Sequence, residues 1–401
     1  MQSAGNSIAH HRSVLSTPLP SVYYAAHNGV VLIQALLVLL APWVSYLSGE
    51  PTIMDRMVDL TFAGYLALIA VRCIFDKPTF RLMAGLALIG AYGGAGLIEA
   101  ITANNLGGFV YEAKLLVSAA LFFCLLDKRP TVSDLTVKIL FFSFIIASCI
   151  FLVLFRGERL HIVNESNYLC LYIGITMFSY LSAKGRAVGL RTIVGLGIFT
   201  LFLIVATQSR TGAGFMLLIW LVYIWERFGF RTAFLGGIAM SVIVTIAGIT
   251  AIALDAPIVK RFEELKNPGK VDRFIFFEQA VKIVQRRPIQ ENLMRFSYAD
   301  PVSTRVPNDM KWLTSHSEHG TEIGQLYPHH FHLAFLRILV GHGFIPFFLY
   351  LAVIVLLWKV NKYLSLGIAI CSLSMSVPYL SLFFGTLQLA LAFTPNRRST
   401  N

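Results

Sequence analysis

The chain has 401 residues, of which 56% are hydrophobic and only 13% charged, with a net charge of +12. The charged share is about half that of a soluble domain, and the mean hydropathy is +0.69. A soluble globular enzyme and a disordered chain are both excluded, and the positive balance fits membrane-flanking loops better than a nucleic-acid surface.

The first 20 residues include His10, His11, Arg12, Pro18 and Pro20, and they lack the apolar core and cleavage site of a removable signal. The first span is therefore expected to act as an uncleaved anchor. A helix needs about 20 apolar residues to cross the hydrocarbon layer. Such runs fall at 25–47, 57–75, 81–101, 109–126, 138–155, 167–182, 189–206, 212–225, 232–254 and 332–358. The stretch 364–393 is too long for one span and short for two. Ser376-Val377-Pro378 at its middle is expected to turn a tight pair, giving about 12 helices. Cys73, Cys124, Cys149, Cys170 and Cys371 all lie in apolar runs without a pairing pattern and read as small packing residues.

Lys and Arg counts set the orientation. With the N-terminus in the cytoplasm, 15 basic residues flank the inner side and 5 lie in the short outer loops. Both termini are then cytoplasmic. The exception is the segment 255–331, a mostly polar outer loop of 77 residues with 11 basic residues, 10 acids and four histidines. A loop of this length is usually functional or disordered. Phe274, Phe277, Ala280, Val281 and Val284 recur at helical spacing, so 272–287 is expected to be a helix ended by Pro288.

Four groups of residues suggest chemistry. Gln208-Ser209-Arg210-Thr211-Gly212 forms an outer turn between two spans. An arginine there needs a partner, and a guanidinium suits bidentate binding of phosphate or carboxylate. Gly212 and Gly214 allow close backbone approach. The alternative is an arginine snorkelling to headgroups. Pro328-His329-His330-Phe331-His332 marks the return of the long loop to the membrane. Leu336 lies four residues after His332 on the same helix face, and Gly343 lies eleven after it. Such a histidine suits a general base near neutral pH, while the alternative is imidazoles facing water. Arg273 opens the loop helix and Arg159 follows another span. Each is either a further cation on the outer face or a solvated arginine. His316, Glu318, His319, Glu322, His329, His330 and His332 offer metal ligands, but no pair has a zinc spacing, so no metal is expected. Arg72, Glu99, Glu112, Lys114 and Arg337 are charges near span ends or inside the bundle, and Arg337 reads either as part of the site or as a structural ion-pair partner.

The ordered set across about 159–358 resembles the O-antigen ligase and O-antigen polymerase superfamily. It consists of Ser209-Arg210-Thr211-Gly212 between spans, a spacer span, a long outer loop opening near Arg273, and His332 entering a span with Gly343 eleven residues on. Leu333 follows His332 where the family commonly has asparagine, serine or glutamine. Ile289-Gln290-Glu291 follows Pro288 in place of a glycine pair. The resemblance implies an all-α polytopic membrane protein of GT-C-like form, one domain over 1–401 with a periplasmic loop at 255–331. It implies a glycosyltransferase of the bacterial inner membrane acting at its periplasmic face without metal or other cofactor. The donor would be a glycan on undecaprenyl diphosphate, and the acceptor lipid A–core or another lipid-linked glycan, the protein being surrounded by membrane lipids. In this reading Arg210, Arg273 and Arg159 hold the diphosphate, and His332 or, in the other register, His330 handles the acceptor proton. A polymerase is the alternative within the superfamily, and a secondary transporter the alternative from another class.

Overall fold

The computed structural model describes residues 19–49, 64–65, 67–69, 71–72, 78–102, 104–127, 129–156, 160, 162, 166–238, 241–242, 272–295, 302–303, 325–379 and 381–393. These are helical apart from connections and one isolated bridge between Ser303 and Leu326. Helix α1 is Leu19–Ser48, α2 Phe80–Thr102, α3 Leu106–Asp127, α4 Asp134–Leu154, α5 Ser166–Lys184, α6 Leu190–Thr207 and α7 Arg210–Phe228. The later part holds α8 Asp272–Arg286, α9 Ile289–Leu293, α10 Ala334–His342, α11 Phe344–Val360, α12 Lys362–Ser372 and α13 Ser381–Ala392.

Five of the described helices (α1, α2, α3, α4 and α6) are long and apolar enough to cross a membrane. Large apolar side chains such as Leu36, Leu88, Phe142, Val205 and Val355 point outward from them and from α11. A surface of that kind suits hydrocarbon rather than water. Inside the bundle one core runs from Val31 through Phe144, Tyr172 and Phe215 to Leu387.

Local hydrogen bonds fix where helices begin. Ser133 caps α4, its Oγ accepting from the Thr136 amide at 3.1 Å, and Asn28 Oδ1 accepts from both the Ser133 amide and Thr136 Oγ1. The cap therefore also clips α4 to α1. Asn361 does the same for α12: Oδ1 accepts from the Leu364 amide, while Nδ2 donates to Ser179 Oγ and the Ala390 carbonyl at 2.9 Å each.

Two expectations change. The segment 364–393 does not make two full spans. At 1.5 Å per residue, the 11-residue α12 covers about 16 Å of a layer about 30 Å thick. The Asn361–Ala390 hydrogen bond brings the hairpin back to its starting end. Its tip packs on the 331–334 segment, where the Ala334 amide donates to the Met375 carbonyl at 2.9 Å. The run 332–358 is broken at Gly343 (φ +91°) into α10 and α11. The loop helix forms as α8, but its buried face is Phe276, Ala280 and Ile283, and Phe274, Phe277 and Val281 are exposed.

Candidate functional site

The end of the bundle that the charge rule places outside carries a second small core. Phe276, Ala280 and Ile283 of α8 meet Leu326, Phe331 and Leu333 and then Leu336 and Val340 of α10. Its physical effect is to seat part of the long loop directly on the bundle. Between Leu326 and α10 the chain makes a 3-10 turn over Pro328–His330. The His330 amide donates to the Tyr327 carbonyl, and the Phe331 amide to that of Pro328. Phe331 is fully buried, and its carbonyl accepts from Ser376 Oγ at the hairpin tip.

This turn separates the histidines. His330 is buried, and its Nδ1 accepts from the Tyr327 amide at 2.9 Å, which leaves the proton of the neutral ring on Nε2. Burial first, then the neighbouring His332 and Arg337 charges, lower its pKa from 6.5 to about 4. His330 is thus a neutral donor at Nε2 and a poor base near neutral pH, so the role proposed for the second register does not suit it. His329 lies against it with ring centroids 4.3 Å apart. His332 is exposed, its ring edge-on to Phe276 at 5.8 Å.

A depressed histidine pKa has a defined effect on stability. Above pH 6.5 both states are neutral and the contribution is whole. As pH falls from 6.5 toward about 4, the unfolded chain takes up a proton that folded His330 refuses, and stability declines. A His330→Gln variant is expected to lose less stability than the parent between about pH 7 and about pH 5. Thermal unfolding in detergent at both pH values measures this, and equal losses would mean an open, solvated ring.

Arg273 is half-buried in the first turn of α8, three residues before Phe276 and seven before Ala280, hence on the face that packs toward His332. Phe276 in turn meets the rings of Phe331 and His332, so Arg273 stands one helical turn before that contact. Arg210 is the first residue of α7, behind the cap Ser209, whose Oγ accepts from the Gly212 amide at 2.7 Å and donates to Asn167 Oδ1. Gly212 is required: a Cβ there would stand 2.6 Å from Cys170 Sγ. Gly214 has open space around it, so close approach holds for the first glycine only. Arg210 shares an end of the bundle with the histidines. The link runs from Gly212 to Cys170 on α5, across α5 to α12, and through the tip at Met375 to Ala334. Arg159 and the possible ligands His316, Glu318, His319 and Glu322 lie outside the described residues.

A buried polar group ties α3 to α10. Arg337 Nη2 donates to Glu112 Oε1 at 2.6 Å and Nε to the same oxygen at 3.1 Å, both residues about 1% exposed. The Arg337 guanidinium carbon lies 3.6 Å from the centre of the Tyr379 ring. His342 completes the group, with Nδ1 2.9 Å from Tyr92 Oη and Nε2 3.7 Å from Glu112 Oε2. Tyr92 donates its own proton to the Arg295 carbonyl at 3.0 Å, so its oxygen accepts from His342 Nδ1–H. Arg337 and Glu112 were visible as intramembrane charges, and of the two readings for Arg337 the ion pair is the one observed. Nothing in the sequence marked His342.

A second buried network crosses the middle of the bundle. Gln34 Nε2 donates to Tyr65 Oη at 2.9 Å and Oε1 accepts from Tyr172 Oη at 3.1 Å, while Gln388 Nε2 lies 2.7 Å from His27 Nδ1. His27 Nε2, Gln388 Oε1 and Thr176 Oγ1 are buried polar atoms without a hydrogen-bond partner. No family model, curated protein or solved structure matches this chain.

Proposed function

We propose that this membrane protein is a glycosyltransferase that moves a glycan from undecaprenyl diphosphate to lipid A–core, as an O-antigen ligase does. The observation that carries the reading is the seating of Arg273 on the face of α8 that meets the exposed His332, at the end of the bundle where Arg210 opens α7. The acceptor hydroxyl attacks the anomeric carbon, the bond from that carbon to the diphosphate oxygen breaks, and the hydroxyl proton passes to His332. Undecaprenyl diphosphate leaves as an anion. Fixed guanidinium groups in a poorly hydrated setting stabilise that developing charge far more than water does. Arg273 and Arg210 take this role, with Arg159 as a third cation, and His332 serves as base.

Membranes carrying Arg273→Ala or His332→Ala are expected to transfer glycan about 100-fold more slowly than the parent, the usual loss for one electrostatic or acid–base group. Transfer at the parental rate by both would remove the assignment. Expression in a ligase-deficient strain, read on a lipopolysaccharide gel, separates the two reactions of the superfamily. A ligase restores attachment to the core, whereas a polymerase changes only the number of repeats.

One observation favours a second reading. Half-length helices α12 and α13, with orphaned polar atoms on His27, Gln388 and Thr176, are features of secondary transporters. Substrate uptake into vesicles without any glycan transfer would select that reading.

A further inference from the structure

Helix α8 carries three faces rather than two. Phe276, Ala280 and Ile283 form the buried face. Glu278, Lys282, Gln285 and Arg286 form a polar face, Lys282 paired with Glu278. Between them, Phe274 and Phe277 are each 58% exposed, with Val281 beside them. At 100° per residue these three occupy an arc of about 60°. An isolated apolar side chain on a surface needs no explanation, but an ordered stripe beside a polar face does.

The stripe does not end with the helix. Ile289 of α9 is 71% exposed, and Leu293 and Met294 follow. The end of α9 abuts the start of α11, because the Asn292 and Leu293 carbonyls lie against Gly343. From there Ile345, Phe348 and Leu349 continue the apolar surface along α11. A strip that joins the hydrocarbon-facing side of a membrane helix, and lies beside a polar face of Glu278, Lys282, Gln285 and Arg286, matches an interfacial amphipathic segment.

We propose that α8 and α9 lie in the boundary between headgroups and acyl chains of the outer leaflet. Phe274, Phe277, Val281, Ile289 and Leu293 sit among acyl chains, and Glu278, Lys282 and Arg286 face the headgroups and water. The placement rests on exposure and continuity alone. Its consequence, that a lipid-borne donor reaches Arg273 and His332 laterally from the bilayer, rests on the proposed function.

The test uses the full chain in lipid nanodiscs with nitroxide labels at Phe274→Cys, Phe277→Cys and Arg286→Cys, the last about 120° around the helix from Phe274. Each is made in a Cys149→Ser background, Cys149 being the exposed cysteine among the described residues. The signal of the labelled background protein is subtracted. Power saturation is expected to show oxygen contact exceeding nickel-chelate contact severalfold at 274 and 277, and the reverse at 286. Nickel-chelate contact at 274 and 277 equal to that at 286 would place the stripe in water. Exclusion of both reagents there would mean that protein covers it. Either result overturns the proposal. Because glycan transfer is not measured, a failure here is distinct from a failure of the proposed reaction, and the Arg273→Ala protein should give the same labelling pattern.

Discussion

Glu112→Ala is expected to destabilise the protein by about 3–5 kcal/mol, the cost of removing one partner from a buried ion pair. The remaining Arg337 guanidinium would be about 1% exposed, with only the Tyr379 ring at 3.6 Å and its other neighbours to replace a carboxylate. The cation–ring contact, worth about 2 kcal/mol or more when desolvated, is already made in the parent and so does not offset the loss. Glu112→Gln keeps an acceptor for one guanidinium hydrogen bond and should fall between parent and alanine. The double variant Glu112→Leu, Arg337→Met should recover much of the loss, since neither charge is then stranded. Thermal unfolding of the four purified proteins, followed by size-exclusion chromatography, gives their order of stability. Equal midpoints for parent and Glu112→Ala would show that the pair carries no stability. The pair matters beyond stability because it ties α3 to α10, the helix that begins two residues after His332.

Gly343→Ala is the second large effect. The residue sits at φ +91° and ψ −174°, a region that is essentially restricted to glycine. Forcing alanine there costs about 1–3 kcal/mol in backbone strain. The new Cβ would also stand 2.7 Å from the Asn292 carbonyl oxygen and 3.0 Å from that of Leu293, and backbone atoms cannot swing aside as a side chain does. Overpacking of that kind adds about 1–3 kcal/mol. The expected outcome is that α9 lifts from α11, breaking the Arg295 amide to His342 carbonyl hydrogen bond of 2.9 Å and with it the Tyr92 contact. Gly214→Ala, which meets nothing within 4 Å, should be near neutral by the same unfolding assay. If the two substitutions behaved alike, the close approach at Gly343 would be refuted.

Some of the site was legible before the fold. The glycine eleven residues after His332 was noticed as a spacing. The structure supplies its reason, which is a left-handed backbone under two carbonyls. Arg273 was placed on a loop helix, and the helix is there. Which of its faces is buried is not legible, because Phe274, Phe277 and Val281 are as apolar as Phe276 and Ile283. On a helix touching both protein and a nonpolar surrounding, hydropathy alone does not tell core from outside. The two candidate histidines read alike in sequence, and only the 3-10 turn makes one a buried donor and leaves the other exposed.

Composition alone determined that this is a helical membrane protein, because backbone groups in hydrocarbon must be satisfied within each segment and 56% apolar residues in long runs leave few other choices. The tertiary structure decided the rest. The hairpin at 364–393 stops half-way because its tip meets the 331–334 backbone. Glu112 finds Arg337 across 225 positions of sequence. The reason is common to both: hydropathy records how readily a segment leaves water, while partners and depth are set by contacts between segments that no local pattern contains.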